Sequence, residues 1–82
     1  MKRFKCRVIT RNGIIFEDEI TSLIAPGKAG YLGVLPSHAP FFSILKDGKL
    51  TLKNDSSIST LNLKRGIMNV MHNTATFLVE EA

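Results

Sequence analysis

The chain has 82 residues, of which 44% are apolar and 22% charged, with a net charge of +4 and one cysteine. A chain of that length fills one hydrophobic core and no second, so residues 1–82 are expected to form a single domain, and a domain of this size buries only roughly 60% of its unfolded surface, which favours support from a larger assembly. The composition excludes a disordered chain, the lone Cys6 excludes an internal disulfide, and no run approaches the ~18 apolar residues that a membrane-spanning helix needs.

Phe4, Cys6 and Val8 alternate with Lys5, Arg7 and Ile9, the period-2 pattern of a half-buried strand. Arg11-Asn12-Gly13 breaks it, and an Asn-Gly pair between β-rich runs predicts a hairpin that returns Ile14 to Phe16 antiparallel to the first strand. Glu17, Asp18 and Glu19 follow with no histidine or cysteine beside them, which reads as a solvated edge rather than a cation site. Ile20 to Ala25 is a further extended run, closed by Pro26-Gly27.

The segment from Gly27 to Pro40 holds three of the six glycines and two of the three prolines, so its backbone path is expected to be tightly specified and to present residues to a partner. Phe41 to Leu45 then reads as a strand and Lys46-Asp47-Gly48 as a tight turn. Leu50 and Leu52 alternate with Thr51 and Lys53 up to the turn cluster Asn54-Asp55-Ser56-Ser57. Ile58 to Leu63 is the next strand, Lys64-Arg65-Gly66 is expected to turn the chain, and Ile67 to Met71 with Thr74 to Val79 form a last hairpin around His72-Asn73. No apolar spacing of helical period persists over three turns. Short strands with frequent turns predict an all-β antiparallel sandwich or small barrel, with a core that includes Phe4, Cys6, Val8, Phe16, Leu50, Leu52, Val70 and Phe77.

Catalytic patterns are missing from the sequence. Ser37 and His38 are neighbours in an extended segment and point to opposite faces, so they make no Ser-His pair on their own. His72 sits in a hairpin turn, and two histidines with one cysteine lack metal-ligand spacing. The glycines of residues 27–33 are not followed by the Lys-Ser/Thr of a phosphate-binding loop. We expect no catalytic residue, metal, cofactor or small-molecule substrate. The positive charge admits nucleic acid, an acidic protein or anionic lipid, but beyond Lys2, Arg3, Lys5 and Arg7 the basic residues are scattered. Most aromatics fall in apolar runs and leave Tyr31 alone as a poor base-stacking platform.

The long run Gly30-Tyr31-Leu32-Gly33-Val34-Leu35-Pro36, continued by His38-Ala39-Pro40, resembles the N-terminal domain of the epsilon subunit of F-type ATP synthases, called delta in mitochondria. The likeness extends to Val8-Ile9-Thr10, Ile15-Phe16, Ala25-Pro26-Gly27, Leu45-Lys46-Asp47-Gly48 and Gly66. It implies a flattened antiparallel β-sandwich of about ten short strands in the rotating central stalk, peripheral to the cytoplasmic face of the membrane. It further implies a non-catalytic subunit that docks the gamma subunit onto the c-ring and couples proton flow to rotation and ATP synthesis. By position in the family, Thr10, His38 and Ser43 are expected at the gamma contact and Gly30, Tyr31 and Leu32 at the c-ring. Family members usually continue into two C-terminal helices with regulatory roles, whereas this sequence reads Glu80-Glu81-Ala82 just past its last strand, so those roles are not carried over. Tyr31 stands where a carboxylate is frequent, and Lys64 and Arg65 where small residues are usual. The alternative is a free-standing β-sandwich adaptor or a basic nucleic-acid-binding module.

Overall fold

A computed structural model describes residues 2–82. Its elements in chain order are β1 (Phe4–Thr10), β2 (Gly13–Ile20), β3 (Ser22–Gly27), β4 (Gly30–Val34), β5 (Phe41–Leu45), β6 (Gly48–Lys53), β7 (Ile58–Met71) and β8 (Thr74–Glu81). All eight belong to one hydrogen-bonded sheet in the order β2-β1-β8-β7-β5-β3-β4, with β6 pairing β3 and β7. The sheet folds over on itself to give the two layers of an all-β sandwich.

The turns follow local chemistry. Arg11-Asn12 joins β1 to β2, and Gly13 begins β2 at φ 111°. His72 and Asn73 both take positive φ, 51° and 56°, which matches the twist of a two-residue hairpin between β7 and β8. In the turn before β7, Asn54 Oδ1 accepts from the amides of Ser56 (3.1 Å) and Ser57 (2.9 Å), the side chain standing in for a backbone turn.

Sixteen residues form the buried apolar core, with Phe4, Cys6, Val8, Leu50, Leu52, Val70 and Phe77 among them. Phe16 differs from expectation: it is half-buried on the edge strand β2 and packs against the core from outside. Burial pushes the Cys6 thiol up to about 12 from 9.0, so it stays protonated and acts as a small apolar side chain.

Three further expectations are revised. The β1–β8 pair is parallel, from Lys5↔Thr74 to Ile9↔Leu78, so the sandwich is not purely antiparallel. Pro26-Gly27 closes β3 as its last two residues, paired opposite Tyr31 and Gly30, but the run does not begin at Ile20, which ends β2. Lys64-Arg65-Gly66 is not a turn between strands: β7 runs unbroken through it for 14 residues, and eight strands form where about ten were expected. Such a strand drawn straight would reach about 46 Å, yet the longest dimension of the molecule is 32 Å. It therefore bends, and a register shift between Leu63 and Arg65 marks the corner. Its first half pairs β6 and its second half pairs β5 and β8, so β7 carries the sheet from one layer to the other.

Backbones come close at this corner. A Cβ on Gly66 would lie 2.5 Å from Leu78 O and 2.6 Å from Val79 Cγ1, and one on Gly48 would lie 2.7 Å from Pro26 Cβ and from the Tyr31 hydroxyl. Gly66→Ala is expected to destabilise the protein by about 1–3 kcal/mol through overpacking. Urea unfolding followed by circular dichroism measures this, and an unchanged midpoint would show that the corner has room to spare.

Candidate docking surface

The register of five strands sets the outward face of the larger layer. Ile14 lies opposite Ile9, Ile9 opposite Leu78, Leu78 opposite Ile67, and Ile67 opposite Ile44. One row of five aliphatic side chains thus crosses β2, β1, β8, β7 and β5 on the face turned away from the core. Cross-strand neighbours sit about 4.5–5.5 Å apart between Cβ atoms, so the row is continuous. Ile14, Leu78 and Ile44 are 54%, 48% and 52% exposed, an unusual concentration for sheet residues with no covering layer. Phe42, two residues before Ile44 on the same face, prolongs the apolar strip along β5.

Ile9, Ile44, Ile67 and Leu78 line a shallow groove of about 610 Å³, bounded toward the corner by Arg65 and Glu80. Ion pairs flank the row on both sides, Arg65 Nε to Glu80 Oε2 at 3.0 Å and Arg7 Nη2 to Glu17 Oε2 at 2.8 Å. Both are exposed and contribute about 0–1 kcal/mol each. An aliphatic strip with a charged rim is the make-up of a protein–protein contact.

The structure separates the three residues expected at the gamma contact. Thr10 lines the groove at the end of β1, where its hydroxyl donates to Gly13 O (3.3 Å) and accepts from the Asn12 amide (3.1 Å). Ser43 is half-buried opposite the core residue Met68, so it faces inward, and its Oγ donates to Ile44 O at 3.2 Å. His38 lies past the opposite end of β5. From Phe41, which is level with Val70, Ala75 and Cys6, Thr10 lies four residues along and three strands across, about 13 Å by 14 Å.

The loop carrying His38 is held in place. Ser37 adopts φ 65°, and its amide donates to Asn73 Oδ1 at 2.9 Å. Asn73 Nδ2 in turn donates to Arg3 O at 2.8 Å, while the Lys5 amide donates to Asn73 O at 3.1 Å. One asparagine in the β7–β8 turn therefore ties the entry of β1 to the Pro36–Pro40 loop. His38 Nδ1 bonds the Ala39 carbonyl at 2.8 Å, and its ring meets Phe41 edge to face at 5.9 Å between centroids.

Of the three residues expected at the c-ring, Gly30 and Tyr31 are exposed, while Leu32 is half-buried and packs on the core. They form the start of the regular strand β4, and the turn itself is Lys28-Ala29. The Tyr31 ring is 58% exposed, but its hydroxyl accepts the Lys49 amide at 3.1 Å and is thereby tethered across the corner.

The apolar row was missed in the sequence although its signal is there. Val8-Ile9, Ile44-Leu45, Ile67-Met68 and Phe77-Leu78-Val79 are apolar in both phases of the alternation, which marks strands covered on both faces.

The fold accords with the comparisons. The family model described as the beta-sandwich domain of the ATP synthase delta/epsilon chain matches residues 3–82, and the chain belongs to that family. The ATP synthase epsilon chain of Chlorobaculum tepidum is 40% identical over 81 residues, covering 98% of this chain and 92% of the relative. That of Nitratiruptor sp. is 37% identical over 83 residues and that of Geotalea daltonii 38% over 81, but the chain spans only 64% and 59% of those two. Among solved structures, a chain in the central stalk and c-ring of the Tetrahymena thermophila mitochondrial ATP synthase matches with a TM-score of 0.84 at 14% identity, over 98% of this chain and 65% of its own length. A chain of the Euglena gracilis mitochondrial ATP synthase matches with a TM-score of 0.88, also at 14% identity, over 94% and 50%. At that identity the likeness shows the fold.

Asn73→Gly keeps the positive φ without strain and removes both side-chain bonds. It is expected to cost about 1–3 kcal/mol and to speed hydrogen exchange at the Ser37 amide in particular. Exchange at Ser37 equal to that of the parent protein would mean that the prolines alone hold the loop.

Proposed function

We propose that this chain is a non-catalytic subunit of the central stalk of a proton-translocating ATP synthase, docking the gamma subunit to the c-ring and so coupling proton flow to rotation and ATP synthesis. The observation that carries this reading is the aliphatic row from Ile14 to Ile44. A stalk subunit needs a surface that stays attached under torque, and burying several aliphatic side chains at about 1.5–3 kcal/mol each supplies that attachment without chemistry. The groove offers hydrocarbon rather than converging acid and base groups, in keeping with a role in docking.

In this assignment the gamma subunit covers the row, with Thr10 at one end. His38 belongs to a second contact, beyond the far end of β5, where the Asn73-clamped loop sets its position. Ser43 acts beneath the surface by supporting β5. The corner around Gly30 and Tyr31 meets the c-ring, and Leu32 anchors that strand to the core. The protein is held on the cytoplasmic face of the membrane through these partners. Among the described residues no helix is long and apolar enough to cross a membrane. The nucleic-acid-binding alternative has less support, since the exposed face is mainly aliphatic, with Phe42 its aromatic, where base stacking needs several aromatics among basic residues.

The test is Leu78→Glu. Leu78 is outward-facing and half-exposed, so the substitution is expected to leave the melting temperature within a few degrees of the parent while weakening association with the gamma subunit at least a hundredfold by calorimetry. Unaltered association would remove the row from the interface.

A further inference from the structure

The corner where the sheet folds collects positive charge that the rest of the chain does not neutralise. Lys28 occupies the β3–β4 turn, Lys46 the β5–β6 turn, Lys49 the start of β6 and Lys64 the bend of β7. Backbone contacts bring three of them together: the Lys28 amide donates to Ile44 O (2.9 Å), the Lys46 amide to Pro26 O (3.0 Å) and the Lys49 amide to the Tyr31 hydroxyl (3.1 Å). Among the described residues the ion pairs are Arg3 with Asp55, Arg7 with Glu17 and Arg65 with Glu80, so none of these four lysines has a carboxylate partner. The unpaired carboxylates at the corner are Asp47 and, across Leu63, Glu81. Four cations against two anions leave the corner at +2.

Tyr31 stands among these lysines with its hydroxyl committed to an amide, which turns the ring edge and apolar face outward between fixed backbone positions. A tethered aromatic surrounded by ammonium groups fits an extended acidic segment: the ring takes the apolar part and the lysines take the carboxylates. A cationic loop would meet like charge at each approach. We propose that this corner receives a carboxylate-bearing loop of the c-ring. The inference rests on the assignment of the corner to the ring and adds the sign of the ring's charge.

The lone Cys6 is buried and protonated, so a thiol introduced by Ala29→Cys in the exposed β3–β4 turn is the one that a maleimide benzophenone will label. In the assembled membrane complex, illumination is expected to attach this position to the c subunit. Separately, a carbodiimide, which joins amine to carboxylate with no spacer, is expected to link Lys28, Lys46 or Lys49 to a ring aspartate or glutamate. Combining Lys28→Glu, Lys46→Glu and Lys49→Glu is expected to lower the photo-attachment at least tenfold at low ionic strength while leaving the melting temperature of the isolated chain unchanged. Attachment to the c subunit without any carbodiimide product, or with a yield indifferent to the three substitutions, overturns the acidic-loop inference and leaves the placement of the corner standing. Attachment to phospholipid or to another subunit overturns both.

Discussion

The close approach of backbones at the bend of β7 is the constraint on which the rest of the structure depends. The chain makes its two layers by folding a single sheet. β7 crosses from layer to layer as one strand, exchanging β6 for β5 on one side and shifting register against β8 between Leu63 and Arg65 on the other. The crossing is possible because Gly66 and Gly48 present no side chain where Leu78 O, Val79 and Pro26 press in. Moving the bend by one residue would exchange the inward and outward faces of everything beyond it.

That bend also fixes which surfaces are available. Inward phases of β1, β8 and the second half of β7 place Val8, Phe77 and Met68 in the core, and the register that does so aligns Ile9, Leu78 and Ile67 outside it. The alignment of the row is thus the other side of the core register, while its aliphatic character is a separate property of the outward positions. The same corner gathers the turns bearing Lys28 and Lys46 and tethers Tyr31 over Gly48. The alignment of the hydrophobic face and the basic corner follow from one geometric event, and they suit the two contacts that a stalk subunit must hold at once.

Much of this was legible in the sequence because local chemistry and core pattern agree. The alternation of Phe4, Cys6 and Val8, the Asn12-Gly13 hairpin and the His72-Asn73 turn each specify their element, and the run from Gly30 to Pro40 identified the family. What escaped reading was non-local. Lys64-Arg65-Gly66 looks like a turn in composition, and only the pairing of β6, β5 and β8 along one strand shows that it is a bend. Phe16 has the right phase for burial but lies on an edge strand with nothing beyond it. Thr10, His38 and Ser43 were grouped by family position, and the register sets them apart, since Ser43 falls in the inward phase and His38 at the opposite end of β5. The apolar row needs five strands in register, which no single stretch of sequence displays, although the doubly apolar runs through Ile9, Ile44, Ile67 and Leu78 announce it.

The most direct test of the account is methyl NMR of the isoleucine- and leucine-labelled chain titrated with the gamma subunit. Isoleucines report both layers, since Ile9, Ile14, Ile44 and Ile67 lie on the row and Ile24 and Ile58 are exposed on strands of the other layer. If gamma covers the row, the methyl signals of the row residues, with Leu78, shift or broaden on binding while Ile24 and Ile58 stay where they are. Changes confined to Ile24 and Ile58, with the row unmoved, would contradict that placement of gamma.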